Sequence, residues 1–251
     1  MPDAWLSGLR KAAGFFCDLL LPRVCAACGV GDVAGDYVCA DCSARLLAVI
    51  ARSYCHRCAV STAGPTGDSC PLCPTVLPRY ARVVRLGSYE PPLSHLVRQF
   101  KYRRHEGLRR HMGGLLAQAV QARCDEPFDL VLAIPAHWRR RFQRSYDHSR
   151  LLAASVARGL DLPLGDELVR VRDTPPQAHL PKTRRIENIR GAFAVTDPRS
   201  IAGARILLVD DVTTTGATAN EAARMLLDHD ATAVVLAAIA KADPPKAFTH
   251  Q

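Results

Sequence analysis

Ile206-Leu207-Leu208-Val209-Asp210-Asp211-Val212-Thr213-Thr214-Thr215-Gly216-Ala217-Thr218 is the stretch on which the fold turns. Four apolar residues in a row read as a short strand buried in a parallel sheet. Two carboxylates stand where that strand is expected to end. A Thr/Gly loop follows, and Ala219 to Asp228 reads as a helix. A strand, a tight small-residue turn and a helix N-terminus together make an anion site. Free backbone N–H groups and the positive end of the helix dipole point at whatever docks there.

The residue types narrow the ligand. Thr213, Thr214, Thr215 and Thr218 add hydroxyl donors to the backbone N–H groups, and Gly216 lets the chain approach closely. That suits a phosphate. Asp210 and Asp211 repel a phosphate, so their natural partners are the vicinal hydroxyls of a sugar, or a magnesium ion. A sugar with a phosphate on one side and hydroxyls on the other satisfies both halves. An ordinary βα turn with an acidic end is the plain alternative. A nucleotide triphosphatase should also carry G-x-x-x-x-G-K-[ST], and no such run occurs in the chain.

The thirteen residues resemble the phosphoribosyl pyrophosphate (PRPP) motif of type I phosphoribosyltransferases. The resemblance implies that Asp210 and Asp211 hold the ribose hydroxyls. It implies that Thr213, Thr214, Thr215, Gly216, Ala217 and Thr218 cup the 5′-phosphate.

Eight of the ten cysteines form four C-x-x-C pairs: Cys25/Cys28, Cys39/Cys42, Cys55/Cys58 and Cys70/Cys73. Each pair offers two thiolates from one tight turn, and two such knuckles close a tetrahedral zinc site. Residues 23–78 are too few to build much of a core, so two structural zinc ions are expected to hold them together. Disulfides, redox pairs or an iron–sulfur cluster are the competitors. Sequential pairing in two ribbons is the expected arrangement. An interleaved one, first knuckle with third and second with fourth, fits the spacing as well. His56 reads as a bystander, and Tyr37, Val38, Leu46 and Leu47 as the apolar filling of a small ribbon.

Around these two landmarks the chain organises itself. Residues 1–22 have helical apolar spacing (Trp5, Leu9, Ala12, Phe16, Leu20) and end at Pro22. They read as an amphipathic helix and a poor signal peptide, and no stretch approaches the ~18–20 apolar residues of a membrane span. A cytoplasmic protein with reduced thiols is expected. Arg82 to Tyr89 reads as a strand, Leu93 to Gln121 as mainly helical, and Asp129 to Ile134 as a second buried strand ending at Pro135-Ala136. A helix is expected from about Ser145 to Leu160, and short strands at Glu167 to Val171 and Gly191 to Val195. Val234 to Ile239 is the last strand, fully apolar and expected at the sheet's centre. Arg139, Arg140, Arg141 and Arg144 follow Pro135-Ala136 and suit a pyrophosphate. Residues 172–190 are polar, proline-rich and basic, the composition of a lid. The net charge of +9 favours an anionic partner, phosphate or nucleic acid.

The whole layout resembles the ComF family, which joins an N-terminal double zinc ribbon to a type I phosphoribosyltransferase domain. The matching residues are the four cysteine pairs, Lys101-Tyr102-Arg103, Ile134-Pro135, Gln177, Arg185-Ile186-Glu187-Asn188, Gly191-Ala192-Phe193 and the PRPP motif. The resemblance implies an α/β fold: a helix over 1–22, a double zinc ribbon over 23–78, and a mostly parallel, Rossmann-like phosphoribosyltransferase domain over 79–251. It implies PRPP with Mg²⁺ as ligand, with Pro135, Ala136 and Arg185 at the pyrophosphate and an acceptor not specified. It also implies a link to DNA uptake, with single-stranded DNA and DNA-processing proteins as partners. A non-catalytic DNA-binding scaffold and a PRPP sensor are the alternatives. One segment departs from the family: Arg144-Ser145-Tyr146-Asp147-His148 stands where the family tends to show R-G-F-N-Q. If that segment touches the acceptor, the acceptor differs or the activity is weak.

Overall fold

The computed structural model describes residues 24–30, 33, 37–65, 69–102, 106–135, 147–173 and 187–243. The expected helix over 1–22, Ala136, the arginines of 139–144 and Arg185 lie outside these residues.

The centre of the molecule is a five-stranded, all-parallel sheet in the order β1-β7-β6-β2-β3. Its strands are β1 (Arg82–Ser88), β2 (Leu130–Ala133), β3 (Leu164–Gly165), β6 (Arg205–Thr213) and β7 (Ala233–Lys241). A short antiparallel pair stands apart, β4 (Leu168–Arg170) with β5 (Phe193–Val195). The helices are α1 (Ala40–Ile50), α2 (Leu93–Tyr102), α3 (Glu106–Gln121), α4 (His148–Leu160), α5 (Pro198–Ile201) and α6 (Ala217–Leu227).

β6 is the central strand because both its faces are apolar. Ile206, Leu207, Leu208 and Val209 are all fully buried, each contributing about 1.5–3 kcal/mol of transfer free energy. Alternate residues feed two separate cores. Leu207, Val209, Val235, Ala237 and Ile239 meet α2, α3 and α4 on one face. Ile206, Leu208, Val234 and Leu236 meet α6 and the β4–β5 pair on the other. Val234 to Ile239, expected at the centre, belongs to the neighbouring strand β7, between β1 and β6.

The two ribbons straddle the sheet edge formed by β1. Cys25, Val38, Cys42, Leu46 and Val49 of the first ribbon join the core with α2 and α3. Tyr54 and Ala59 of the second join the core with α6. β1 is an edge strand, and unpaired edge N–H groups are a liability. The second ribbon satisfies two of them: the Val83 N–H donates to His56 O at 2.6 Å and the Arg85 N–H to Tyr54 Oη at 3.3 Å. A helix, α1, links the first two knuckles to the last two, where the sequence suggested only ribbon. Its Leu46 is buried and its Leu47 is exposed.

Candidate functional site

β6 is longer than the sequence suggested. Four apolar residues mark its buried part, but it continues through Asp210, Asp211 and Val212 to Thr213 because β7 runs alongside as far as Lys241. β2 pairs with β6 only up to Val209. Among the described residues Asp210 and Asp211 therefore lie on strand backbone with one flank unpaired, beyond the end of β2. This is the crevice at the carboxyl ends of parallel strands where α/β folds bind ligands.

The acidic pair is held in a specific arrangement. The Asp211 N–H donates to Asp210 Oδ1 at 2.8 Å. Asp211 Oδ2 lies 2.9 Å from the Lys101 ammonium, which comes from α2. Ser149, in the first turn of α4, helps hold the Asp210 carboxyl down. Burial, followed by the charge of Asp211, pushes the Asp210 carboxyl up to about 7, against the opposing pull of the Asp211 N–H, Lys101 and Ser149. Burial acts to lower the Lys101 pKa, but the two aspartates outweigh it and hold the ammonium above its ordinary value.

The loop after the acids is a tight one. Thr213 is buried, Thr214 and Thr215 are exposed, Gly216 and Thr218 are half-buried, and Ala217 is buried. Gly216 caps α6 with φ +77°, in the left-handed region that glycine enters without strain. A side chain there would also meet Tyr80 Oη 2.7 Å from its Cβ. The hydroxyl of Thr215 accepts from the Ala217 N–H at 3.3 Å. From below, the buried Lys241 ammonium donates to Thr214 O and, at 3.1 Å, to Ala242 O. A lysine under the loop and an open helix N-terminus both favour an anion above it.

The eight paired cysteines form two clusters, Cys25/Cys28/Cys39/Cys42 and Cys55/Cys58/Cys70/Cys73, so the pairing is sequential. A tetrahedral Zn–S₄ centre with bonds near 2.3 Å has S···S edges of about 3.8 Å. The sulfurs of Cys28 and Cys39 lie 3.9 Å apart, Cys55 and Cys73 3.6 Å, and Cys58 and Cys70 3.6 Å. The donor set fits zinc in both clusters. Against the upward push of burial, backbone N–H groups hold the Cys25 thiol down to about 6, while burial and neighbouring thiols push Cys42 up to about 12. Four thiolates this close need a dication between them. These are closed Cys₄ sites, and the zinc they hold is structural. His56 is in neither cluster and lies against Tyr54 instead, ring centroids 5.2 Å apart.

Other expectations fared differently. Pro135 lines a cavity of about 410 Å³ together with Asp147, Arg150, Asp166 and Arg170. Asp147, in the segment that departs from the family, is the N-cap of α4, accepting from the Arg150 N–H at 3.2 Å. His148 is buried against Phe100, ring centroids 5.8 Å apart. Both replacements do structural work in the first turn of α4. Glu221 of α6 accepts from the Gly191 N–H at 2.7 Å and so ties the end of the expected lid to the loop helix. The residues that sequence reasoning left without a place in the site are Lys101, Ser149, Lys241 and Tyr80. Two carried a signal: Lys101 sits in a family-matching run, and Lys241 is the one charge closing an apolar strand.

Comparison with known proteins agrees with this layout. A model of the phosphoribosyl transferase domain matches residues 147–248, and one of the double zinc ribbon domain matches residues 16–76. The DNA utilization protein YhgH of Salmonella typhimurium is 31% identical over 222 residues, 86% of this chain and 96% of its own. Competence protein F of Haemophilus influenzae is 30% identical over 200 residues, 77% of this chain and 86% of its own. A solved glutamine PRPP amidotransferase of B. subtilis is 20% identical over 56% of this chain and 30% of its own, with a TM-score of 0.39, too slight a likeness to build on.

Proposed function

We propose, for a chain that belongs to the ComF family of double zinc ribbon proteins with a phosphoribosyltransferase domain, that the crevice at Asp210–Thr218 binds PRPP with Mg²⁺ and transfers its phosphoribosyl group to a nitrogen acceptor. The observation that carries this reading is the pairing of a glycine-capped helix N-terminus with two adjacent carboxylates on an open strand end. Asp210 and Asp211 hold the ribose hydroxyls. The N–H groups and hydroxyls of Thr213–Thr218 anchor the 5′-phosphate. The pyrophosphate falls to Pro135 and, by the family resemblance, to Ala136, Arg185 and the arginines of 139–144, which lie outside the described residues.

In the reaction the C1′–O bond to pyrophosphate breaks, a C1′–N bond forms, and the acceptor nitrogen gives up its proton. Positive charge develops at the sugar and negative charge on the leaving group, so catalysis is positioning and electrostatics. Two carboxylates beneath the ribose suit the first charge and the basic segments suit the second. Oxygen donors suit Mg²⁺, which supplies charge neutralisation at the pyrophosphate. The domain division at residue 78 belongs to the same reading, as does a cytoplasmic setting. Among the described residues no helix is long and apolar enough to cross a membrane.

Calorimetric titration of PRPP and Mg²⁺ into the zinc-loaded protein tests it, with Asp210→Asn alongside. Micromolar binding that is lost in the variant is expected. Absence of binding to the wild type, or equal affinity in the variant, overturns the assignment.

A second reading, single-stranded DNA binding linked to DNA uptake, is favoured by a different surface. Tyr37 of the first ribbon and His111 of α3 lie with ring centroids 5.9 Å apart, beside Arg110 and Gln118. Stacking rings flanked by base is the chemistry of single-strand recognition, and the relatives' names carry DNA utilization and competence. Oligonucleotide affinity that falls steeply with salt is its signature.

A further inference from the structure

Ser61, in the second zinc ribbon, stands outside every role assigned above, yet its side chain has no unused capacity. A hydroxyl has one proton to give and two lone pairs. Ser61 Oγ gives its proton to Asp243 Oδ2 at 2.7 Å and accepts from Arg85 Nη2 at 2.7 Å. Ser88 Oγ, 2.8 Å away, must then donate into the remaining lone pair. The Ser61 N–H adds a second bond to Asp243, to Oδ1 at 3.1 Å. Arg85 is fully buried on β1, with its guanidinium 4.8 Å over the Tyr54 ring and 3.8 Å from Asp243.

Asp243 is where this network reaches the site. It lies two residues beyond Lys241, on the short run of chain that holds the Thr213–Thr218 loop from below. The Ala242 N–H donates to Thr213 O at 2.9 Å, and the Lys241 ammonium donates to Thr214 O. A second path runs in parallel. Arg57, between Cys55 and Cys58, donates to Ala81 O at 2.7 Å. The adjoining Arg79 N–H donates to Asn220 Oδ1 of α6 at 2.6 Å, and Tyr80 abuts Gly216. Both paths lead from the second ribbon; the first ends on the backbone of the loop, the second on Gly216 at its end and on the Asn220 side chain in the first turn of α6.

We infer that the second zinc ribbon is a fixed arm of the phosphate loop and that Ser61 is a positioning residue, acting through Asp243 and Lys241 to aim the loop's N–H groups. The inference takes the Thr213–Thr218 loop as the 5′-phosphate site of the proposed function. The ribbon's metal then serves the active end of the sheet as well as the ribbon itself.

The test compares Ser61→Ala with Ser61→Thr, which keeps the hydroxyl, and with Lys241→Met, which leaves the ribbon alone. Zinc content is measured in each, and two readouts follow: hydrogen exchange of the 213–220 amides without ligand, and calorimetric affinity for PRPP with Mg²⁺. Ser61→Ala and Lys241→Met should each raise loop exchange and weaken PRPP binding about three- to tenfold, the range set by one lost hydrogen bond. Both should retain two zinc ions, and Ser61→Thr should return both readouts to within about twofold of wild type. Loop exchange in Ser61→Ala equal to wild type overturns the inference, as does a loss in Ser61→Ala that Ser61→Thr shares. Raised exchange in a protein whose wild type binds no PRPP supports the coupling and rejects only the ligand reading.

Discussion

Removing the Lys101 ammonium should be felt in two places at once, because Lys101 both supports the fold and balances the acidic pair. The Lys101–Asp211 bridge is 2.9 Å long, and its side chains are 25% and 15% exposed. An exposed bridge of this kind contributes about 0–1 kcal/mol, whereas breaking a fully buried one costs about 3–5 kcal/mol. Partial burial puts Lys101→Met near 2 kcal/mol. For a chain of this size about 2–4 °C of melting temperature goes with each kcal/mol, so a fall of roughly 4–8 °C is expected. Asp211→Asn removes the other partner but also relieves the repulsion of Asp210, and should cost less.

The double variant distinguishes an ion pair from two unrelated losses. Once Lys101 is gone, replacing Asp211 removes a like charge from beside Asp210 and becomes neutral or favourable. Thermal and urea unfolding of the four proteins should therefore give a coupling energy of about 1–2 kcal/mol. Additivity within about 0.5 kcal/mol would refute the argument: Lys101 would then be a helix lysine whose ammonium happens to rest near a carboxylate.

Two further outcomes follow from the loop and its acids. Gly216→Ala should lose about 1–2 kcal/mol to the left-handed backbone and also displace Tyr80. Gly203→Ala, with the same φ of +77° but open space around its Cβ, should pay only the backbone cost and keep PRPP affinity; equal affinity losses in the two would remove Tyr80 from the account. The Asp210 carboxyl, raised to about 7, should destabilise the fold increasingly from about pH 4, its unfolded value, to about 7, and no further above. A ligand cation or ribose hydroxyl that demands the ionised form should then expel protons as it binds near neutral pH; identical binding heats in two buffers of different ionisation enthalpy would contradict this.

The signals that point to the crevice at Asp210–Thr218 are local in the sequence. A run of four apolar residues, two acids and a Thr/Gly turn carry strand, ligand chemistry and helix start within thirteen positions. The zinc clusters were legible for the same reason, since each C-x-x-C is a complete half-site. What stayed hidden depends on register between distant strands. β6 continues to Thr213 only because β7 reaches Lys241 beside it, and no window on Ile206–Thr218 contains that fact. Lys101 and Ser149 reach the acids from α2 and α4, more than sixty positions away in sequence. The departure at Asp147-His148 was legible as a departure, but its meaning needed the N-cap bond to Arg150 and the packing against Phe100.

The cysteine pairing shows how the fold resolves what spacing leaves open. Similar intervals between knuckles allow sequential or interleaved closure. The sheet admits one of them. Cys25 and Cys42 are buried in the core that holds α2 and α3, while Tyr54 and Ala59, beside the third knuckle, are buried in the core that holds α6. β1 lies between the two faces, with the second ribbon hydrogen-bonded along its edge through His56 and Tyr54. An interleaved site would have to bring cysteines around that edge, breaking the bonds from Val83 and Arg85 and exposing two unpaired strand N–H groups at about 1–3 kcal/mol each. The metal sites are sequential because the ribbons are built onto opposite faces of one sheet, and for the same reason neither can be removed without uncovering a part of the phosphoribosyltransferase core.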